Sequence, residues 1–257
     1  MTFSIQRYRP PYQCAKVCRQ SSSTGATSTT TTRGPSSSSG SSSLLSDEAI
    51  IATTQRWFET IVIGQKLCPF ATPLLRDKQR SKLAIVASHA TNAEQAVDDV
   101  SHQARRLIHS QPTTNDPSSN HDISSPETTL IVFANNDRPF LTKYTDLVRL
   151  SWTLQEKAIV DQGFEHDLQI VLFHPLARHQ TYNDDDEVTA ADYTIRSPYP
   201  TVHLLRQEDV MRAVQSGSPE SVEEVPNRNK AKFWRQGVDV CQQRLAECFV
   251  TSVDKQK

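Results

Sequence analysis

The chain is short of the residues that most often announce a function. It has only seven glycines among 257 residues. None of them forms a G-x-G-x-x-G or a G-x-x-x-x-G-K-[ST] run, so the usual backbone cradles for nucleotide phosphates are missing. C-x-x-C and H-E-x-x-H are absent as well, and no motif specifies a cofactor. No apolar run reaches the roughly 18 residues that a membrane-spanning helix needs. The five cysteines are odd in number, widely spaced and without a secretory signal. That pattern argues against a disulfide framework and for reduced thiols.

The sharpest shortage is local. The first 46 residues contain no Asp or Glu, yet carry Arg7, Arg9, Lys16, Arg19 and Arg33. Residues 21–43 are mostly Ser, Thr and Gly, and such a segment cannot bury enough apolar surface to offset its ordering entropy. Residues 1–45 are therefore expected to be a disordered tail. An Arg- and Ser-rich, acid-free tail has the composition of an organelle transit peptide. The expected address is the mitochondrion, with the plastid or the cytoplasm as alternatives. Cys14 and Cys18 lie in this tail without the further ligands a metal would need. Beyond the tail, 23 Lys and Arg face 29 Asp and Glu. That acidic balance argues against a nucleic-acid partner, whose phosphates need a basic face.

What is present reads as one globular domain over residues 46–250, with a short tail at 251–257. Ser46 or Asp47 caps a first helix with Ile50, Thr54, Trp57, Phe58 and Ile61 at helical spacing, and Gly64 is placed as its C′ residue. Pro69 biases Cys68 to extended backbone just beyond that helix. Strands are expected at 82–88, 128–134, 168–173 and 201–205. A helix carries Ala93, Val97, Val100, Ala104 and Leu107 on one face, and another starts near Pro139 and ends at Gly163. Residues 207–214 form a short helix. A last helix over 231–248 is expected to turn Trp234, Val238, Cys241, Leu245 and Cys248 inward, with both thiols as small core groups. Residues 110–127, with three prolines among Ser, Thr and Asn, read as a flexible insertion. The fold class is α+β, a mainly four-stranded sheet covered by helices, with a ferredoxin-like arrangement as one form of it and a parallel α/β sheet as the alternative.

The densest chemistry runs from Ile170 to Arg206. An F-H-P segment ends one strand, an acidic stretch with Asp184, Asp185, Asp186 and Glu187 follows, and R-S-P-Y-P leads into the next strand. The acidic run reads as a solvated turn. Cys68, His174 and His203 are candidate catalytic residues, because a Cys–His pair can act as a nucleophile. The same three can also be packing and strand-capping groups, and no metal site is assigned to them. Tyr193, Arg196, Ser197 and Tyr199 are candidate ligand-binding residues. Two prolines stiffen that loop, and an Arg fork there can clamp a small anionic ligand. The same fork can instead pair with Asp192. If the third and fourth strands are antiparallel neighbours, His174 and Arg196 share one sheet edge, and His174, Arg196 and Tyr199 then share a pocket with Cys68 at its wall.

These segments, W-x-x-x-x-V-I-G followed by L-C-P-F-A at Trp57–Ala71, F-H-P at Phe173–Pro175, and D-Y-T-I-R-S-P-Y-P-T-V-H-L-L-R at Asp192–Arg206, resemble those of a largely bacterial family known only as a domain of unknown function. The resemblance covers about Thr53 to Leu245. Asp192 and Ile195 depart from it, standing where that pattern tends to have Asn. It implies a fold and no activity. Two functions stay open: a small-molecule-binding or catalytic domain with a Cys/His/Arg/Tyr pocket, or a noncatalytic interaction module that docks through the R-S-P-Y-P surface.

Overall fold

The structure is a computed structural model that describes residues 46–68, 71, 82–109, 126–134, 140–179, 187–215 and 224–249. The tail at 1–45, Pro69, Phe70, most of the 110–127 insertion, Pro139, the run Asp184–Asp186 and the tail at 251–257 lie outside these residues. Every described residue belongs to one compact unit, Ser43–Lys257.

Helix α1 (Asp47–Trp57) starts as expected: the Ser46 hydroxyl accepts from the Ala49 N–H at 3.3 Å, with Asp47 and Glu48 in the first turn. The helix widens into a π-type turn over Phe58–Ile63. That widening changes the role of Gly64. It has φ −59°, not a left-handed value, and the left-handed stop falls on Lys66 at φ 52°. Gly64 is required for a different reason: a Cβ there would sit 2.3 Å from the Thr60 carbonyl oxygen.

Strands β1 (Leu83–Ser88), β2 (Thr128–Phe133), β3 (Leu168–Phe173) and β4 (Thr201–Arg206) form one sheet in the order β1-β2-β4-β3. Helix α2 (Ala93–His109) carries the chain from β1 to its parallel neighbour β2, and β4 runs antiparallel to both β2 and β3. The four-stranded, helix-covered α+β sheet stands. The ferredoxin-like form does not, because the element order is β-α-β-α-β-β rather than β-α-β-β-α-β. Parallel pairing is confined to β1–β2 among the described strands.

Alternation along the strands builds a core on each face. On one side Ile131, Phe133, Val202, Leu204 and Leu168 pack against α2 and α3 (Tyr144–Leu154). On the other, Leu83 and Leu130 pack with Trp57, Phe58 and Ile61 and with Phe233 and Cys241. Helix α3 begins later than expected because Leu141 has φ 59°, which no helical residue adopts. It extends through a wide segment, Gln155–Val160, and closes near Gly163 at φ 77°, where glycine is at home. After β4 comes α4 (Gln207–Gln215). The expected single last helix is two, α5 (Glu224–Gln236) and α6 (Val238–Ala246), broken at Gly237 with φ 82°. The break shifts the register, so Phe233 is buried and Trp234 is 63% exposed. Cys241 and Cys248 are buried as expected. No described helix is long and apolar enough to cross a membrane.

Candidate functional site

Antiparallel pairing of β3 with β4 places Phe173 opposite Thr201, so the F-H-P and R-S-P-Y-P segments do meet at one edge. The His174 N–H donates to the Ile195 carbonyl at 3.3 Å and extends the pairing. His174 itself is 1% exposed. Its Nε2–H donates to the Leu141 carbonyl at 2.8 Å, and its Nδ1 accepts from the Leu176 N–H at 3.0 Å. These partners fix a neutral tautomer, and burial holds the ring below the usual imidazole range. Both nitrogens are occupied by main chain, which explains the odd Leu141 backbone: it aims a carbonyl at the ring.

His203 lies on the opposite face, beside Phe58 and Phe173 at ring distances of 6.5 and 6.3 Å. The Thr128 hydroxyl donates to the Leu204 carbonyl at 2.7 Å, so it accepts from His203 Nε2–H at 2.6 Å. Burial pushes this imidazole down to about 4. Cys68 is half-buried against the cluster on the His203 side. With the histidines on opposite faces, the three candidate catalytic residues do not converge. Among the described residues no group of three or more His, Cys, Asp or Glu is arranged to hold a metal.

The R-S-P-Y-P loop is knitted into its surroundings. The Trp57 indole N–H donates to the Arg196 carbonyl at 3.0 Å, which joins the two ends of the sequence pattern. The hydroxyls of Ser197 and Thr201 donate to the Tyr199 carbonyl at 2.6 and 2.8 Å. Tyr199 sets its ring edge against Phe249 at 5.9 Å and its hydroxyl against Thr53, and burial raises its pKa. Asp192 does not pair with Arg196. Its carboxylate accepts from the Thr189 N–H and hydroxyl and from the His179 N–H, capping the short turn Ala190–Thr194.

Arg196 is therefore the exception. Its side chain is 8% exposed. Nε donates to the Ala177 carbonyl at 3.1 Å, and the guanidinium carbon stands 4.7 Å from the Tyr193 ring centre. Its two terminal nitrogens form no hydrogen bond, and no carboxylate pairs with it, among the described residues. It lines a crevice with Tyr193, Ile61, Gln65, Phe233 and Arg244, whose volume of about 10 Å³ admits one water-sized group. Of the expected pocket only Arg196 lines this crevice, joined by the candidate Tyr193, while His174, Tyr199 and Cys68, and with them Ser197 and His203, do not.

Sequence reasoning missed the polar face of α5. Arg228, Asn229 and Lys232 of α5 donate to the carbonyls of Lys66, Leu67 and Gln65, the open end of the first helix, where positive charge is favoured. Burial, then Arg228, Lys66 and Arg244, depress the Lys232 ammonium. The available signal was the spacing: residues 228, 229, 232 and 236 fall on one face of an otherwise polar helix. Arg206 was missed too. It is buried and clamps the Leu107 and Pro126 carbonyls, tying the end of α2 to the start of β2.

A family model described as "Protein of unknown function (DUF1415)" matches residues 49–243. Neither the curated proteins nor the solved structures give a match.

Proposed function

The chain belongs to the DUF1415 family, and on that premise we propose that it binds a small molecule through an anionic group, a carboxylate or phosphate, received by Arg196. The observation that carries this reading is a buried guanidinium with two unengaged terminal nitrogens. Those nitrogens are not sealed from solvent, so the fork keeps donors open to the crevice that a carboxylate or phosphate oxygen can accept. An anion's oxygen in the crevice supplies that acceptor, and Arg244, which lines the same crevice, raises the local positive field. Tyr193 stacks the guanidinium and fixes its plane. The reading is binding rather than turnover, since both histidines are neutral and held by hydrogen bonds. An interaction module is less well supported: Arg196, Ser197 and Pro198 are buried, leaving only the half-buried Tyr199 and Pro200 to a partner.

The test is a thermal melt of the full chain with phosphate, acetate and citrate against chloride at equal ionic strength. A saturable rise in midpoint, lost in Arg196→Lys because Lys keeps the charge without the fork, supports the reading. No anion-dependent rise in wild type overturns it. We also propose that residues 1–45 direct the chain to the mitochondrion, the composition of the tail being the support. A fluorescent reporter fused to that segment tests the address, and a purely cytosolic signal removes the proposal.

A further inference from the structure

A larger concavity lies elsewhere, beyond the carboxyl end of β1. The chain there, Val86 through Ala90, faces Ile131 of β2 and the first three turns of α2 across a groove of about 380 Å³. Ligand sites in α/β units favour the crevice at the carboxyl ends of parallel strands, and β1–β2 is such a pair. The volume falls within the range of small-molecule sites.

The polar lining comes mainly from one stripe of α2. Gln95, Asp99 and Gln103 recur every four residues, so they stand one above another on the same face. The Ser88 hydroxyl donates to Asp99 Oδ2 at 2.6 Å and accepts from the Ala90 N–H at 3.3 Å. This holds one carboxylate oxygen and leaves the other without a hydrogen bond among the described residues. Gln103 supplies an independent sign of a ligand. It is only 9% exposed, yet its carboxamide makes no hydrogen bond among the described residues and is not sealed from solvent. The amide is thus open to the groove it lines, and a ligand there can supply the bond.

The lining contains a carboxylate and no Lys or Arg. At the mouth His89 is turned toward Asp47, at 3.1 Å. His102 also lines the groove, and Asp99, its one carboxylate, is the group that favours a cation there. Val86, Ala87, Ala90 and Ile131 give it an apolar floor. We propose that this groove binds a small aliphatic amine. Its ammonium donates to the open Asp99 oxygen and to the Gln103 carbonyl, and its carbon chain lies on the apolar floor. The site is separate from the Arg196 crevice and stands or falls independently of it.

The full chain is titrated with putrescine and with ethanolamine, glycerol serving as the uncharged control, by calorimetry and by the side-chain amide NMR signals of Gln103. Saturable amine binding that shifts the Gln103 signals is expected. Asp99→Asn keeps an acceptor for Ser88 and is expected to weaken binding about tenfold or more, with a smaller loss in Gln103→Met. If Asp99→Asn fails to fold by circular dichroism, Gln103→Met decides. Absence of saturable amine binding, glycerol binding as tightly as the amines, or undiminished binding in the folded variants overturns the proposal.

Discussion

Replacing Trp57 by Phe tests the joint that holds the Arg196 loop. Trp57 is 1% exposed, packs edge-on against Phe173 at 5.1 Å, and its indole N–H is the donor to the Arg196 carbonyl. Phe removes that donor and leaves a buried acceptor unpaired, at a cost of about 1–3 kcal/mol. The smaller ring leaves unfilled volume beside Phe58 and Phe173, costing roughly another 1–2 kcal/mol. Together the loss is about 3 kcal/mol, a large part of the ~5–15 kcal/mol that keeps a domain folded. At an m-value of ~2 kcal/mol/M, the urea midpoint falls by about 1.5 M. Circular dichroism is the suitable probe, because Trp152 and Trp234 are each 63% exposed and report the transition poorly by fluorescence. Trp152→Phe is the control and changes stability by less than ~0.5 kcal/mol. A fall of under about 0.5 M in Trp57→Phe would refute the claim that the indole holds this loop.

Burial depresses His174 and His179, and depresses His203 to about 4. Below pH ~6.5 the unfolded chain takes up protons that the folded chain refuses, so stability falls as pH drops from ~6.5 toward ~4, by ~3 kcal/mol from His203 alone. Urea midpoints at pH 7, 5.5 and 4.5 measure this, and His203→Gln is expected to flatten the acid slope. Asp192→Asn sets an N–H donor against one of the N–H groups its carboxylate now accepts, for a loss of about 2 kcal/mol by urea unfolding. Gly64→Ala drives a methyl into the Thr60 carbonyl and costs upwards of ~2 kcal/mol. Gly163→Ala, with nothing within 4 Å of its Cβ, loses only ~1 kcal/mol through its left-handed backbone.

Local pattern carried most of the fold into the sequence. Of the expected α2 stripe Val100, Ala104 and Leu107 are fully buried and Val97 half-buried, while Ala93 is exposed and Ala96 takes its place; the four strands fall where their apolar runs stand. Strand order was not legible, because it is decided by long-range pairing: β4 enters between β2 and β3 for reasons no local run expresses. The break at Gly237 was hidden by an apolar register that seemed to continue across it, and Trp234 was misplaced as a result. At the site, residue type was a poor guide. His174 and Ser197 look like chemistry in a sequence, yet their polar atoms are taken up by main chain. Arg196 was legible as a clamp, but its surroundings were not. Arg244 and Gln65 reach the crevice from segments 179 residues apart in the chain, and only the fold brings them together.

The central position of β4 also bears on how the chain is made. A ribosome delivers β1, α2 and β2 early, and a parallel pair can close as soon as they emerge. β3 follows, but its partner in the sheet is still unsynthesised, and so is the outer partner of β2. Until residue 206 leaves the exit tunnel, two apolar strands present bare hydrogen-bonding edges toward a gap one strand wide. Such edges pair readily with each other in the wrong order or with other chains. The last-arriving strand is therefore the piece whose delivery closes the sheet and covers both edges at once.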